Sequence, residues 1–435
     1  MPARIVLRLS EGGAAEEFPA AVREALRALE GDGTTEEELA GRFVNAAGRT
    51  ALPLLFYAMA TLAGRGLVSY WAMAERPIAS ASGNSPLIHI RRPQLDSGTR
   101  YAFSRAALMR RHGDRMVLET ARSAVQITIH DPRVLPVLAG LGTPSVLSGL
   151  DEEMRVFATL LLSCGMLDEN GREDAGPLSH WEFPDLLLHA RSRVGRHIGG
   201  YGGTYACRDR FPPPPATKPP MSADGFELFR PDLERLESDD VPFTCVIERR
   251  CSTRRFGERP IGIEQLGEFL YRVARQRSVS EDESGQDLGS RPYPGGGAIY
   301  ELEIYVAAGS CRDLSRGLYQ YDPLGHRLFR LQTPDEAVET ILWNARASSG
   351  SVNPQVVLTI AARFDRLFWK YESMRYATIL KNVGVLFQTM YLVAEAMDLG
   401  ACALGGGDSD QLSEIAGLDY YAESAVGEFM IGSRS

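Results

Sequence analysis

Apolar positions in the first part of the chain follow a helical spacing and then switch to a strand. Thr35 and Glu38 stand at the spacing of a capping box, just ahead of Leu39 and Phe43, which predicts a helix start there. Leu52, Leu55, Phe56, Met59 and Leu62 share one helical face, and Gly64 and Gly66 end that run. Residues 67–71 (LVSYW) read as a strand, so two helices, a strand and a turn give the outline of a winged helix. A fainter copy follows. Residues 134–141 read as a helix, Gly142 and Pro144 as a turn, and Met154, Phe157, Leu160 and Leu161 as a second helix running into Cys164-Gly165-Met166-Leu167. Matching Gly66-Leu67 with Gly165-Met166 predicts two tandem winged-helix-like modules, over residues 1–95 and 96–210.

Residues 211–220 (FPPPPATKPP) predict a stiff, extended linker, and the linker region is taken as 211–239. Beyond it, residues 240–435 alternate strand and helix patterns. Residues 300–308 (YELEIYVAA) and 356–362 (VVLTIAA) read as buried strands, and 317–321 with 327–331 as a hairpin around Asp322-Pro323. A long helix is expected over 374–397 and a short last strand over 428–431; residues 278–290, polar and acidic, read as a mobile loop. The expected class is α+β.

Composition narrows the function. The 435 residues suit two or three domains, and 44% hydrophobic with 24% charged residues is ordinary for a folded protein. The longest apolar run, residues 52–63, is too short to span a bilayer, and no apolar core follows Arg4 and Arg8, so no secretory signal is expected. Six scattered cysteines with no CxxC pair fit reduced thiols in a cytoplasmic protein. A net charge of -9 argues against bulk attraction to nucleic acid or to an anionic membrane. Residues 1–90 hold eight arginines against ten acidic residues, whereas a DNA-binding module carries a basic face. The modules are therefore expected to receive a protein or peptide, by strand addition or in a helical groove.

Of 47 basic residues only Lys218, Lys370 and Lys381 are lysines. Arginine can replace lysine in most surface roles but does not exchange protons near neutrality, which makes each lysine a candidate for proton transfer. Lys218 lies in the proline-rich segment and is expected to be incidental. Of the seven histidines only His326 falls in the C-terminal region, in a hairpin turn where exposure is expected, so a histidine base is not anticipated. His180, His189 and His197 match no zinc-ligand spacing, and no metal is expected.

Three short motifs carry candidate chemistry. Arg250-Cys251-Ser252-Thr253-Arg254-Arg255-Phe256 offers guanidiniums and a hydroxyl to a phosphate, or is a solvated charged face. Pro294-Gly295-Gly296-Gly297 lets backbone approach a flat ligand, or is a flexible turn. Gly405-Gly406-Gly407 is another such turn, or a helix cap. No convincing G-x-G-x-x-G before a helix is present.

Taken in order, these motifs resemble the nitroreductase-like flavoproteins, and within them the SagB/ThcOx-type azoline dehydrogenases. The family's R-x-S-x-R-x-F opening matches Arg250, Ser252, Arg254 and Phe256, and its Pro-Ser-Gly-Gly-Ala stretch matches Pro294 to Ala298. Gly317 to Asp322, Lys370-Tyr371 with Arg375-Tyr376, Gln388-Thr389 and Gly405-Gly406 continue the match over about residues 240–435, and the N-terminal modules resemble those attached to this branch. Gly295 stands for the usual serine, Thr389 for asparagine, and Asn382 for a frequent acid.

The resemblance implies FMN at a homodimer interface. Arg250, Ser252 and Arg254 would hold its phosphate and ribityl chain with Cys251 adjacent. Pro294, Gly295 and Gly296 would line the isoalloxazine, and Gly405 and Gly406 would close the phosphate end. It implies oxidation of thiazoline or oxazoline rings in a peptide to thiazole or oxazole, with hydride to flavin N5 and O2 as final acceptor. A cyclodehydratase partner is implied as well. Lys370 is the expected base with Tyr371 as its proton partner or substrate orienter, the reverse assignment standing close behind. Three alternatives remain open: the same chemistry on a carrier-bound nonribosomal peptide, an NAD(P)H-dependent nitro- or ene-reductase, and a flavin-free peptide-binding scaffold.

Overall fold

The Thr35 hydroxyl accepts the Glu38 amide and the Glu38 carboxylate accepts the Thr35 amide, so the helix begins where its capping box stands. The structure, a computed structural model, describes residues 3–10, 17–83, 94–351 and 353–435. The chain forms two units, Met1–Gly202 with Glu372–Met374, and Gly203–Tyr371 with Arg375–Ser435.

The first unit runs β1 (Arg4–Leu9), α1 (Ala20–Leu26), α2 (Glu36–Ala47), α3 (Leu52–Gly64), β2 (Val68–Met73) and β3 (Pro77–Ser82). It continues through β4 (Arg100–Phe103), β5 (Ala107–His112), β6 (Arg115–Thr120), β7 (Gln126–Ile129), α4 (Leu135–Gly140), β8 (Ser145–Val146), α5 (Glu152–Ser163), β9 (Leu167–Glu169) and α6 (Phe183–Arg191). Leu26, Leu39, Phe43, Leu55 and Leu62 close the helices over β1 and β2. The glycines matched in the sequence end α3 and α5 in the same way. Gly66 and Gly165 both take φ +74°, and the next amides, Leu67 and Met166, each donate to the carbonyl five residues back, at 2.9 Å. A single six-stranded sheet in the order β1-β2-β3-β7-β6-β5 nevertheless runs through residue 95, where a module boundary was expected. Pairing of β3 with β7 buries Ala79, Ala81, Leu118 and Ile127 against Phe157, Leu160 and Leu161 of α5, a long-range match that local patterning does not show.

The second unit begins near β10 (Gly202–Gly203) and holds β11 (Gly225–Glu227), α7 (Leu233–Asp239), α8 (Phe243–Arg249), α9 (Ile263–Ala274), β12 (Ser278–Glu281), β13 (Asp287–Ser290), β14 (Leu302–Ala308), β15 (Gly317–Asp322) and β16 (Arg327–Arg330). Next come α10 (Asp335–Ser349), β17 (Val356–Arg363), α11 (Phe364–Phe368), β18 (Tyr371–Glu372), α12 (Arg375–Ala396), β19 (Leu399–Ala403), α13 (Ser409–Ala416) and β20 (Glu423–Ser433). Its antiparallel sheet has the order β11-β16-β15-β14-β17-β20-β19. Along β14 the side chains alternate between two cores. Leu302, Ile304 and Val306 pack with α9 and α12, while Tyr305 and Ala307 pack with Val338, Ile341 and Leu342 of α10. By length and composition α12 could cross a membrane, but Ile379, Val383, Leu386 and Met390 are buried in the core of this unit.

Five expectations change. The last strand is eleven residues long, not four, because it lies inside the sheet between β17 and β19, where Glu423 and Ser424 are buried despite their polarity. Residues 278–290 form the β12–β13 hairpin, pinned by Gln286, whose amide nitrogen donates to the Arg366 carbonyl at 3.0 Å. His326 is buried, its Nδ1 2.9 Å from the Tyr321 hydroxyl and its Nε2 2.9 Å from the Phe229 carbonyl; burial shifts it toward the neutral form.

The proline-rich segment is a strap on the second unit rather than a free linker. Fully buried Arg366 donates to the carbonyls of Pro214 (2.6 Å), Asp287 (3.0 Å) and Ile299, and burial lowers its pKa to about 10. Trp369 Nε1 donates to the Phe211 carbonyl at 2.8 Å. Lys218 is not incidental: its ammonium reaches Glu423 at 2.5 Å and the Tyr305 hydroxyl at 2.6 Å. Tyr305 in turn lies 2.7 Å from Glu423, and burial and that carboxylate hold its hydroxyl protonated. Lys218→Ala should therefore lower unfolding free energy by about 3–5 kcal/mol, because it strands a buried carboxylate. Replacing Lys218 and Glu423 together by Met and Leu should recover most of that loss. Urea denaturation of both variants measures it, and wild-type stability in Lys218→Ala would refute the role.

Candidate functional site

Two loops of the second unit find their hydrogen-bond partners on α12. In the first, the Thr253 amide donates to the Ala401 carbonyl at 2.7 Å, which lays residues 250–254 beside β19. The Tyr391 hydroxyl, on α12, accepts the Ala403 amide at 2.7 Å and lies 2.9 Å from Ser252 Oγ. The Arg250 guanidinium sits over the Tyr391 ring, 5.1 Å from its centroid. Cys251, Ser252 and Arg254 are exposed, as are Gly405 and Gly406, which begin two residues after Ala403. The structure thus brings Arg250, Cys251, Ser252 and Arg254 to the strand that leads into the glycine turn. A Cβ at Gly407 would lie 2.0 Å from a carboxylate oxygen of Glu428. Burial, with Asp408 adding, pushes the Glu428 carboxyl above its usual range.

The second loop lies about 13 Å along α12, nine residues earlier at 1.5 Å per residue. Asn382 accepts the Gly296 amide at 3.1 Å and donates to Glu301 at 2.8 Å. Glu301 is buried, and burial raises its pKa, the Asn382 hydrogen bond opposing. Gly297, Ala298 and Tyr300 all have positive φ, at 65°, 58° and 52°, so the chain turns through a strained bend before β14. A Cβ at Gly295 would lie 3.1 Å from the Tyr300 ring, which explains glycine where the resembled family carries serine.

Tyr371 meets this second loop, and the Lys370 ammonium lies 5.9 Å from the centroid of the Tyr371 ring. The Tyr371 hydroxyl occupies the space beside Gly297, 2.2 Å from where a Cβ would stand. The Lys370 ammonium lies 3.8 Å from Asp282 and 5.6 Å from the centroid of the Tyr205 ring. Burial would raise the Asp282 pKa, but the Ser284 hydroxyl, the amides of Gln286 and Ser284 and the Lys370 charge hold it below the usual range. Lys370 is mostly buried and Lys381 exposed, which separates two lysines that look alike in the sequence. Sequence reasoning passed over Tyr391, Asp282, Tyr205 and Glu301. Asp282 lay in the segment read as a mobile loop, and nothing local marks the others.

These groups fit a planar, phosphate-bearing cofactor: guanidiniums and a hydroxyl at one end, and backbone without Cβ atoms at the other. No group of three or more His, Cys, Asp or Glu among the described residues is placed to hold a metal. His89 lies outside the described residues, and the rings of His189 and His197 pack against Trp181 and Tyr201.

Comparison with known proteins bears on this geometry. Residues 247–433 match the nitroreductase family, and residues 101–198 match the cyanobactin oxidase ThcOx. The chain is thus similar to the nitroreductase family over somewhat less than half its length, and to ThcOx over a separate segment. It is 27% identical over 46% of its length to 93% of a Methanocaldococcus jannaschii protein named as a nitroreductase. It is 26% identical over 43% of its length to 73% of the microcin B17-processing protein McbC of Escherichia coli. Among solved structures, one described as a nitroreductase from Ralstonia eutropha aligns at TM-score 0.39 and 22% identity, covering 55% of this chain and 99% of that one. A chain of the E. coli microcin synthetase McbBCD complex with truncated pro-MccB17 bound aligns at TM-score 0.37 and 18% identity, covering 59% of this chain and 96% of that one. Members of the nitroreductase family typically bind FMN, and the flavin-site expectation falls within the matched residues.

The bend beside Tyr371 yields a direct test. Gly297→Ala should displace the Tyr371 ring while leaving the residue 250–254 cluster alone. Turnover should fall by about a hundredfold, the cost of a misplacement near 1 Å, with flavin retained. Steady-state rates alongside the flavin absorbance of the purified variant check this, and unchanged turnover would refute the positioning role of the bend.

Proposed function

We propose that this nitroreductase-family chain is an FMN-dependent azoline oxidase that converts thiazoline or oxazoline rings of a peptide to the aromatic azoles. The observation that carries the reading is the lysine–tyrosine pair, Lys370 and Tyr371, packed at the glycine bend 294–297 with Asp282 beside the amine. A ThcOx match over residues 101–198 and the similarity to McbC support it, and both point to a peptide rather than a small nitro compound. Arg250, Ser252 and Arg254 would hold the FMN phosphate and ribityl chain, with Cys251 adjacent and Gly405 and Gly406 at the same end. Pro294, Gly295 and Gly296 would lie along the ring system, in a homodimer. When bound, FMN supplies a hydride acceptor.

The chain's own residues handle the proton. Removing two hydrogens from an azoline requires a base for the C–H beside the carbonyl, and the role proposed for the Lys370–Tyr371 pair is to take that proton. Lys370 is assigned as base, with Tyr371 receiving or orienting. Asp282, ionised at 3.8 Å, favours the ammonium that results. O2 regenerates the oxidised flavin, and a cyclodehydratase acting earlier supplies the ring.

Anaerobic mixing of the purified protein with a synthetic azoline peptide tests the reading. Flavin bleaching with loss of two hydrogens from the peptide is expected. Bleaching by NADPH but not by the azoline would overturn it in favour of a reductase, and a purified protein without flavin would favour a scaffold. Lys370→Ala should keep FMN and lose turnover by about a hundredfold or more, the usual weight of a general base. Asp282→Asn removes a negative charge beside the amine and favours its neutral form, so the rising limb of the rate–pH profile should move to lower pH if Lys370 is the base. A profile that does not move would assign the proton to Tyr371.

A further inference from the structure

The first unit carries a groove that the oxidase chemistry does not use. It is an open cavity of about 830 Å³ between the start of β3, the end of β7 and the neighbouring strands, with Arg8, Trp71, Arg76, Arg115, His130 and Arg133 on its walls. Trp71 is among the lining residues and carries two packed neighbours. The His130 ring stacks on it at 4.9 Å with an interplanar angle of 1°, and the Arg8 guanidinium lies 4.4 Å from its centroid. His130 is fixed in turn, its Nε2 2.9 Å from Ser80 Oγ.

The charges on the walls are unequally matched. Arg133 is held by Asp131 at 2.6 Å and by Glu153 at 2.9 Å, so that arginine and both carboxylates satisfy one another. Arg8 faces no carboxylate in any described ion pair; its Nε is buried without a hydrogen-bond partner among the described residues, and its contacts are Trp71 and Met73. Among the described residues Arg115 reaches the exposed Asp114 alone, at 3.8 Å, and Arg76 and Glu75 are exposed on the β2–β3 turn. Burial, then the charges of Arg115 and Arg8, shift His130 toward its neutral form. The groove's arginines come from separate stretches, Arg8 and Arg76 from the net acidic residues 1–90 and Arg115 and Arg133 from beyond them, so no local charge count shows them together.

We propose that this groove receives an acidic stretch of peptide, with carboxylates seated between Arg8 and Arg115 beside His130. Guanidiniums fixed against a ring are pre-organised for bidentate contact with carboxylates, and the separated arginines suit several acidic side chains better than one small anion. The proposal deepens the function above, since it gives the peptide substrate a docking point on the first unit.

Fluorescence anisotropy of the full-length FMN-loaded protein tests it, using a short fluorescein-labelled peptide rich in glutamate and the same peptide with glutamine in place of each glutamate. The glutamate peptide should bind about tenfold more tightly, the weight of one charge-assisted contact. Arg8→Gln with Arg115→Gln should abolish that preference, whereas Arg8→Lys with Arg115→Lys should keep most of it. If the glutamine pair fails to fold, the lysine pair and Arg76→Gln carry the comparison, and Arg172→Gln, on an exposed arginine paired with Glu169, should change nothing. Equal binding of the two peptides, or a preference retained in the glutamine variant, would overturn the proposal. So would full displacement by inorganic phosphate at matched ionic strength, which would make this a small-anion site. A protein that oxidises an azoline without preferring the glutamate peptide refutes the groove alone; one that prefers the glutamate peptide but never bleaches refutes the oxidase alone.

Discussion

Loop amides that leave the sheet still need acceptors, and in the second unit one helix supplies them. Asn382 takes the Gly296 amide and Tyr391 the Ala403 amide, so α12 sets two otherwise independent loops at a fixed separation. The helix can do this because its apolar side chains are locked into the core of the unit. A helix that slid or rotated would lose both acceptors together, leaving unpaired the Gly296 amide and the Ala403 amide at the end of β19, at about 1–3 kcal/mol each. The candidate site inherits its rigidity from that arrangement. Lys370 and Tyr371 arrive from α11 against a glycine bend that α12 already holds.

A second layer of constraint comes from buried cations that bind backbone or carboxylate rather than solvent. Arg366 ties the proline-rich segment, the β12–β13 hairpin and the 296–299 turn through three carbonyls, so one side chain sets three pieces of chain around the candidate site. Lys218 fastens the same proline-rich segment to β20 through Glu423. Buried cations of this kind hold geometry more than they add stability, since desolvation offsets much of the attraction. That suits the proposed site, in which a lysine, a tyrosine and a flat cofactor would need fixed relative positions.

Legibility in the sequence followed the range of the interaction. The capping-box helix start, the glycine-ended helices and the strands β14 and β17 stand within a residue or two of their expected places, because capping, left-handed glycines and apolar period act over a few residues. The motif residues were legible too, and the comparisons place their domain in the nitroreductase family. What failed to show was anything requiring a distant partner. His326, Lys218 and Glu423 look like surface residues until Tyr321, Tyr305 and the central sheet surround them. Asp282 sits in a stretch whose polarity reads as disorder, yet its hairpin is fastened by Gln286 to Arg366.

By itself, then, the amino-acid sequence determined the class of the C-terminal domain, the order of its motifs and the scarcity that singles out three lysines. Tertiary structure decided among those lysines: Lys218 is a structural cation, Lys381 is exposed, and Lys370 lies against Asp282 and Tyr205 at the glycine bend. It also turned a net acidic N-terminal stretch into a local arginine-lined groove. The reason is the same in both cases. Charge and proton affinity depend on what lies within a few ångströms, and only the folded chain brings those neighbours together.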